Sequence, residues 1–357
     1  MRDSHSRPGG SGSRSTRLAS MCVIKPRDRG NRLGVAARAA LERSVRFLLA
    51  NQGGDGLWRD FETPVGEASL WPTGFIGNAL VSAASGPDAL ERAAAALVAA
   101  QNADGGWGYN EDVPSDADST AWVLLFLARM GGSEDACRRA LACLVRHQRG
   151  GNGGIATYAT PGPIRRFTAI GWWMPMWGWS RPHTEVTAIA GRALMVCLPC
   201  GGGQAADAAW RFVRAQQNVS GEWSSYWWTS PHYATAQAVE FAADRGEREL
   251  VNRAASWTLR HQADCGGSAF ATAMSLSILS RADADPEAID RVIADLIASQ
   301  HVDGGWPSEP VLRIPIPADT DPNGERRWRV VRFAGGIEVA DQHRLFTSAA
   351  CVAALAG

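Results

Sequence analysis

The 357-residue sequence predicts an all-α protein, a single (α/α)6 barrel: a closed toroid of six helix-pair repeats over residues 33–357. Three observations carry this. Six helix-like apolar stretches each end in a glutamine followed by a Gly-rich turn, at Gln52, Gln101, Gln148, Gln217, Gln262 and Gln300. Four of these continue as Q-x-x-x-G-x-W, reaching Trp58, Trp107, Trp223 and Trp306. Each turn leads into a second helix with a threonine near its start, at Thr73, Thr120, Thr187, Thr235, Thr272 and Thr347. Self-similarity at such a period marks stacked supersecondary units. No segment shows a convincing strand alternation, so the twelve helices alternate as an outer and an inner ring.

Each element has a local reason. The glutamine falls in a helix's last turn, and the glycine permits the reversal that ends it. The indole packs over the turn, while the glutamine amide bonds neighbouring backbone. The second helices form the inner wall, so their N-terminal ends surround one mouth of a central cavity. Two stretches rich in Pro, Gly and Trp interrupt the rhythm, near 155–183 and 307–344. Both are long enough to be functional loops over that mouth. Residues 1–32 are rich in Arg, Ser and Gly, without an apolar stretch, and read as a disordered leader.

Composition narrows the function. The chain is 45% hydrophobic and 20% charged with zero formal net charge, which argues against a nucleic-acid partner. There is no signal-peptide core and no apolar run long enough for a membrane span, so a cytoplasmic location is expected, with peripheral membrane contact left open. The seven cysteines are scattered, with one C-x-x-C at Cys197 and Cys200, and read as small buried residues rather than a zinc ribbon. Tryptophan is the anomaly: 15 residues against 4 Tyr.

The four Q-x-x-x-G-x-W turns resemble the QW repeats of squalene–hopene and oxidosqualene cyclases, within the terpenoid cyclase and protein prenyltransferase superfamily, and the resemblance covers about residues 34–357. Pro114-Ser115-Asp116-Ala117-Asp118-Ser119-Thr120-Ala121, at the start of the second inner helix, resembles the D-x-D-D-T-A motif of class II terpene cyclases. Those enzymes begin cyclisation by protonating an alkene or epoxide. The resemblance implies that Asp118, at the middle Asp of the motif, is the general acid. Ser119 stands where the motif has its third acid, a departure shared in kind by oxidosqualene cyclases.

The chemistry suits these residues. An acid that protonates a carbon–carbon double bond must be held neutral until used, and two nearby carboxyls, here Asp116 and Asp118, can share one proton. Free N–H groups and the macrodipole at a helix start stabilise the carboxylate left behind. Capping alone would also explain an Asp at this place. Aligning the inner helices on their threonines puts Trp71, Asp118, Glu185, Tyr233, Phe270 and Leu345 at one level, with Asp116, His183 and His343 a step nearer the mouth. His183 and Glu185 are candidates for orienting Asp118 or taking the final proton. Trp71, Trp122, Trp173, Trp177, Trp227, Tyr233 and Phe270 are candidate substrate-binding residues whose ring faces would stabilise a carbocation. Arg313 and Arg344 are candidates for a diphosphate, which would also call for Mg2+ near Glu111 and Asp112; no metal ligands are otherwise assigned.

The expected function is a class II cyclase acting on an isoprenoid or prenylated small molecule. Three alternatives stay open. A zinc-dependent prenyltransferase-like subunit would draw on Asp264, Cys265 and His343. A two-carboxylate hydrolase would use Asp118 and Glu185. A non-catalytic toroid would bind a lipid or peptide. Because the resembled family usually sets its site between two barrels, a homo-oligomer or partner chain is a further expectation.

Overall fold

The computed structural model describes residues 34–131, 133–197, 202–323 and 336–357. The leader expected at 1–32, together with Cys22, Cys200 and Arg329, lies outside the described residues. Twelve helices form six pairs: α1 (Val35–Ala50) with α2 (Leu70–Ser82), α3 (Pro87–Ala99) with α4 (Ala117–Met130), and α5 (Glu134–His147) with α8 (Thr184–Val196). The set continues with α9 (Gly203–Ala215) and α10 (Pro231–Asp244), α11 (Arg248–Arg260) and α12 (Ala269–Arg281), and α13 (Pro286–Ala298) and α14 (Leu345–Ala356). The short helices α6 (Pro161–Phe167) and α7 (Trp177–Ser180) lie in the first insertion.

The second helix of each pair packs on that of the next, α2–α4–α8–α10–α12–α14, and α14 returns to α2, so the inner ring is closed. Its members are apolar on nearly every side: α4 buries eleven residues, from Ala117 through Ala128 apart from Asp118. Outer helices bury one stripe instead; α5 buries Ala136, Cys137, Ala140, Leu141, Cys143, Leu144 and His147. That is the difference expected between a helix wrapped by protein and one with a solvated face.

The repeated turn works as a staple. In the second repeat the Gln101 amide donates to Gly105 O (2.7 Å) and across to Ala136 O (2.9 Å) in the next outer helix. Trp107 Nε1 donates to Leu97 O (2.7 Å), and its backbone N–H donates to Thr120 Oγ1 (3.0 Å). The shared threonine thus ties the turn to its inner helix. Gly105 has φ +86°, and a Cβ there would come within 2.6 Å of Arg139 O, so only glycine lets the turn approach. Gln52, Gln148 and Gln217 reach Ala89, Ala205 and Leu250 in the same way, and Gln300 reaches Ala40, joining the sixth repeat to the first. In the third repeat one extra residue lengthens the turn, so Gln148 bonds Gly153 O and Ile155 takes the Trp position against Thr187.

Two hairpins appear that periodicity did not reveal: β1 (Asp60–Thr63) with β2 (Gly66–Ala68), and β3 (Leu312–Ile314) with β4 (Ile337–Val339). At three or four residues each, they are too short to show alternation. Buried Asp60 ties the first hairpin to the last inner helix, accepting from His343 N, Leu345 N and Phe346 N at 2.8–3.0 Å. The far mouth, at the C-terminal ends of the inner helices, is closed by ion pairs from Arg192 to Glu240 (3.0 Å) and Asp244 (2.9 Å) and from Arg281 to Glu240 (2.6 Å). Five cysteines, 137, 143, 197, 265 and 351, are free and buried.

Candidate active site

A cavity of about 450 Å3 opens at the N-terminal mouth of the inner ring. Three segments roof it. The tip of the first hairpin contributes Thr63, Pro64 and Val65; the first insertion contributes Tyr158, Ile164, Phe167, Ile170 and Trp179; the second contributes Leu312, Ile314 and Ile337. Trp71, Trp227 and Trp228 form aromatic wall, and Asp116, Asp118, Ser119 and Glu185 bring the polar groups. Beneath, an aromatic stack fills the lumen: Trp71 packs on Phe346 (4.8 Å between centroids), Phe346 on Phe75 (3.9 Å), and Trp228 on Tyr233 (3.9 Å) and Phe270 (5.3 Å).

Asp116 caps α4. Its Oδ1 accepts from Ser119 N (2.8 Å) and its Oδ2 from Ser119 Oγ (2.7 Å). Burial lifts its pKa to about 6, against the pull of those bonds. The serine at the motif's third acidic position therefore occupies both oxygens of the first. Asp118, one turn in, faces the cavity, and its Oδ1 is buried without a hydrogen-bond partner. Burial foremost, then the charges of Asp116 and Glu185, push its carboxyl well above the ordinary range. The side chain is thus stored as the neutral acid.

Glu185, on the neighbouring inner helix α8, accepts at Oε1 from Tyr226 N (2.7 Å) and Trp227 N (2.8 Å). Its Oε2 is buried with no partner, and burial raises its pKa. Two carboxyl groups, each with one oxygen unpaired, therefore border one largely apolar chamber. Buried unsatisfied polar atoms are rare enough in folded proteins to mark a place where something else binds or reacts.

Several expected residues lie elsewhere. His183 does not reach the cavity: its ring is stacked on Tyr226 (3.7 Å), Nε2 donates to Gly178 O (2.8 Å), and burial drops its pKa to about 3. It anchors α7 rather than orienting Asp118. Trp173 and Trp177 are 68% and 69% exposed and stand outside the cavity, because their turn projects from the insertion instead of folding over it. Arg344 sits over the Phe47 ring and pairs with Asp303 (2.6 Å) beside the last QW turn. Arg313 is buried behind the wall, held by carbonyls of Tyr226 (3.1 Å) and Ser225 (3.1 Å). Trp122, Tyr233 and Phe270 lie below the chamber, with Trp122 Nε1 bonded to Tyr233 Oη (3.1 Å). Of the zinc candidates, Cys265 faces His232 (3.6 Å) and His343 pairs with Glu67 (2.8 Å), so they share no centre. Glu111 bonds Ser69 Oγ (2.7 Å). Tyr109, Tyr158, Trp179 and Trp228 line the chamber without having been singled out as site residues; only their place beside the insertions pointed to them.

Comparison with known proteins agrees with this geometry. A family model described as the squalene-hopene cyclase C-terminal domain matches residues 31–172. The chain is similar to drimenyl diphosphate synthase of Streptantibioticus cattleyicolor, 36% identical over 143 residues, which are 36% of this chain and 26% of that protein. It is also similar to drimenyl diphosphate synthase of Streptomyces showdoensis, 29% identical over 272 residues, 70% of this chain and 47% of that one. The matches thus span less than half the length of these curated relatives. Among solved structures, the type II terpene cyclase MstE from Scytonema in complex with geranylgeranyl dihydroxybenzoate superposes with a TM-score of 0.80 at 28% identity, over 90% of this chain and 97% of that one. A variant of the same cyclase in complex with merosterolic acid A reaches 30% identity, a TM-score of 0.80, and 90% and 96% coverage. With its QW staples, its closed ring and a neutral aspartic acid facing an indole-walled chamber, the chain belongs to the class II terpene cyclase family.

Proposed function

We propose that this protein cyclises a prenylated small molecule by protonation, with Asp118 as the general acid. The observation that carries the reading is the Asp118 carboxyl, buried beside a second acid, without a partner at Oδ1, facing a chamber walled by Trp71, Trp227 and Trp228. In the first step the Asp118 O–H proton passes to the terminal alkene. The π electrons form the new C–H bond, a tertiary cation remains on the adjacent carbon, and Asp118 becomes a carboxylate. Successive double bonds then attack, closing rings. Loss of a proton from carbon to a basic oxygen ends the sequence, and Glu185 is the acceptor assigned here because its Oε2 is unpaired in the same chamber. Indole faces stabilise the passing cation by roughly 0.5–2 kcal/mol per contact and keep water away. Asp116, fixed by Ser119, holds Asp118 protonated through its charge and its capping geometry.

The substrate favoured is a prenyl chain on an uncharged or aromatic head. Among the described residues that line the chamber there is no arginine or lysine to meet a diphosphate, and the MstE structure holds a geranylgeranyl dihydroxybenzoate. A diphosphate-bearing prenyl chain, as the drimenyl diphosphate synthases suggest, is the second reading, and Mg2+ belongs to that reading alone. The test is incubation with C10–C20 prenyl diphosphates with and without Mg2+, squalene, and geranylgeranyl phenols, alongside Asp118→Asn. Cyclised product from the wild type and a loss of roughly 100-fold or more in the variant are expected, the scale of a removed general acid. Equal product from both proteins would remove Asp118 as the acid.

A further inference from the structure

The first insertion carries an exposed aromatic surface that the reaction does not use. Trp172 is 88% exposed, Trp173 68% and Trp177 69%, and Phe167 (38%) stands next to them while also lining the chamber. Exposed indoles in such density mark a contact surface rather than scattered surface residues. The turn that bears them is built, not loose. Arg165 donates from its guanidinium to Gly171 O (2.5 Å) and Met174 O (2.8 Å), and Met174 N closes the turn on Gly171 O (3.0 Å). Behind it, α7 is pinned by Gly178 N to Pro317 O (2.8 Å) and Trp179 Nε1 to Pro315 O (2.8 Å).

Charge points to the partner. Residues 155–183 hold three arginines, Arg165, Arg166 and Arg181, and no Asp or Glu. Arg166 and Arg181 are exposed, with no carboxylate among the described residues within ion-pair distance. The acids nearest in the second insertion, Asp319 and Asp321, accept N–H bonds within their own loop. Tryptophan seats at the headgroup level of a bilayer, and each basic residue near an anionic surface adds about 1 kcal/mol. No described helix is long and apolar enough to cross a membrane, so the contact is lateral.

We propose that the Trp172–Trp177 face, with Arg166 and Arg181, docks on an anionic phospholipid surface and sets the mouth of the chamber against it. Phe167, Ile170 and Ile337 run from this face into the chamber, giving a prenyl chain an apolar path from bilayer to Asp118. The path's purpose rests on the cyclase reading; the docking does not.

Two measurements keep them apart. Co-sedimentation with vesicles of phosphatidylcholine alone, or mixed with phosphatidylglycerol, needs no substrate. Wild-type protein is expected to pellet with the mixed vesicles, less so at high salt, and Trp172→Ser with Arg166→Gln to partition about tenfold more weakly. Turnover of substrate presented in detergent is expected to be equal in the two proteins, while turnover from vesicles falls in the variant. Wild-type protein that ignores both vesicle types overturns the proposal, as does partitioning unchanged by the two substitutions. A concentration-dependent dimer lost in the variant, without vesicle binding, also overturns it and assigns the face to a second copy.

Discussion

Asp116 and Asp118 share a helix start and a chemistry, yet the oxygens of one are filled by Ser119 while the other keeps Oδ1 bare. Two pH effects follow from the second. Cyclisation needs the protonated form of Asp118, so kcat should fall on the alkaline side as its raised pKa is crossed, and a pH–rate profile measures this. Stability moves the same way. The unfolded carboxyl titrates near 3.8 and the folded one well above it, so the stabilisation is whole below the unfolded value and is lost as pH rises through the folded one. Asp118→Asn, of the same shape and always neutral, should therefore gain in Tm over wild type as pH climbs through that window. A constant Tm difference would mean Asp118 is ionised in the fold. Asp118 and Glu185 were legible from sequence because the threonine alignment fixes their level in the ring. His183 was not: the same alignment places it at the rim, but the direction of its ring is set by Tyr226 and Gly178, which no local pattern announces.

At the level of elements, the QW turn explains why one seven-residue pattern recurs. Its tryptophan spends its indole N–H on a carbonyl of the preceding helix, and its glutamine spends an amide on the following repeat. Trp107→Phe keeps most of the packing but strands the buried Leu97 carbonyl, so a loss of about 1–3 kcal/mol is expected from denaturant unfolding. A loss near zero would make the indole mere filler. The helices were readable because each is long, periodic and punctuated by a glycine. The hairpins were not, since Asp60–Thr63 and Leu312–Ile314 draw their stability from the insertions and ring they pack on. Gly178 lies in such a place: a Cβ would collide with Asp319 O and Tyr226 Oη, so Gly178→Ala should push the two insertions apart and lower turnover with the inner ring intact by circular dichroism.

Across the whole molecule, Gln300 is the staple that joins the sixth repeat to the first, through Gly304 O and Ala40 O at 2.9 Å. Gln300→Leu removes both bonds, about 1–3 kcal/mol together, and hydrogen exchange should speed in α1 and α13 before it does in α4 or α8. Uniform loss of protection would show the ring melts as one unit. Asp60 adds a second tie across the same seam, since a carboxylate made early in the chain caps a helix made last. On the ribosome, that aspartate has nothing to hold until α14 emerges. Five nascent repeats would still leave an open crescent with its inner wall wet. An open solenoid can lengthen or shorten by a unit in evolution, whereas this chain must keep its count, and its final helix decides whether there is a chamber at all.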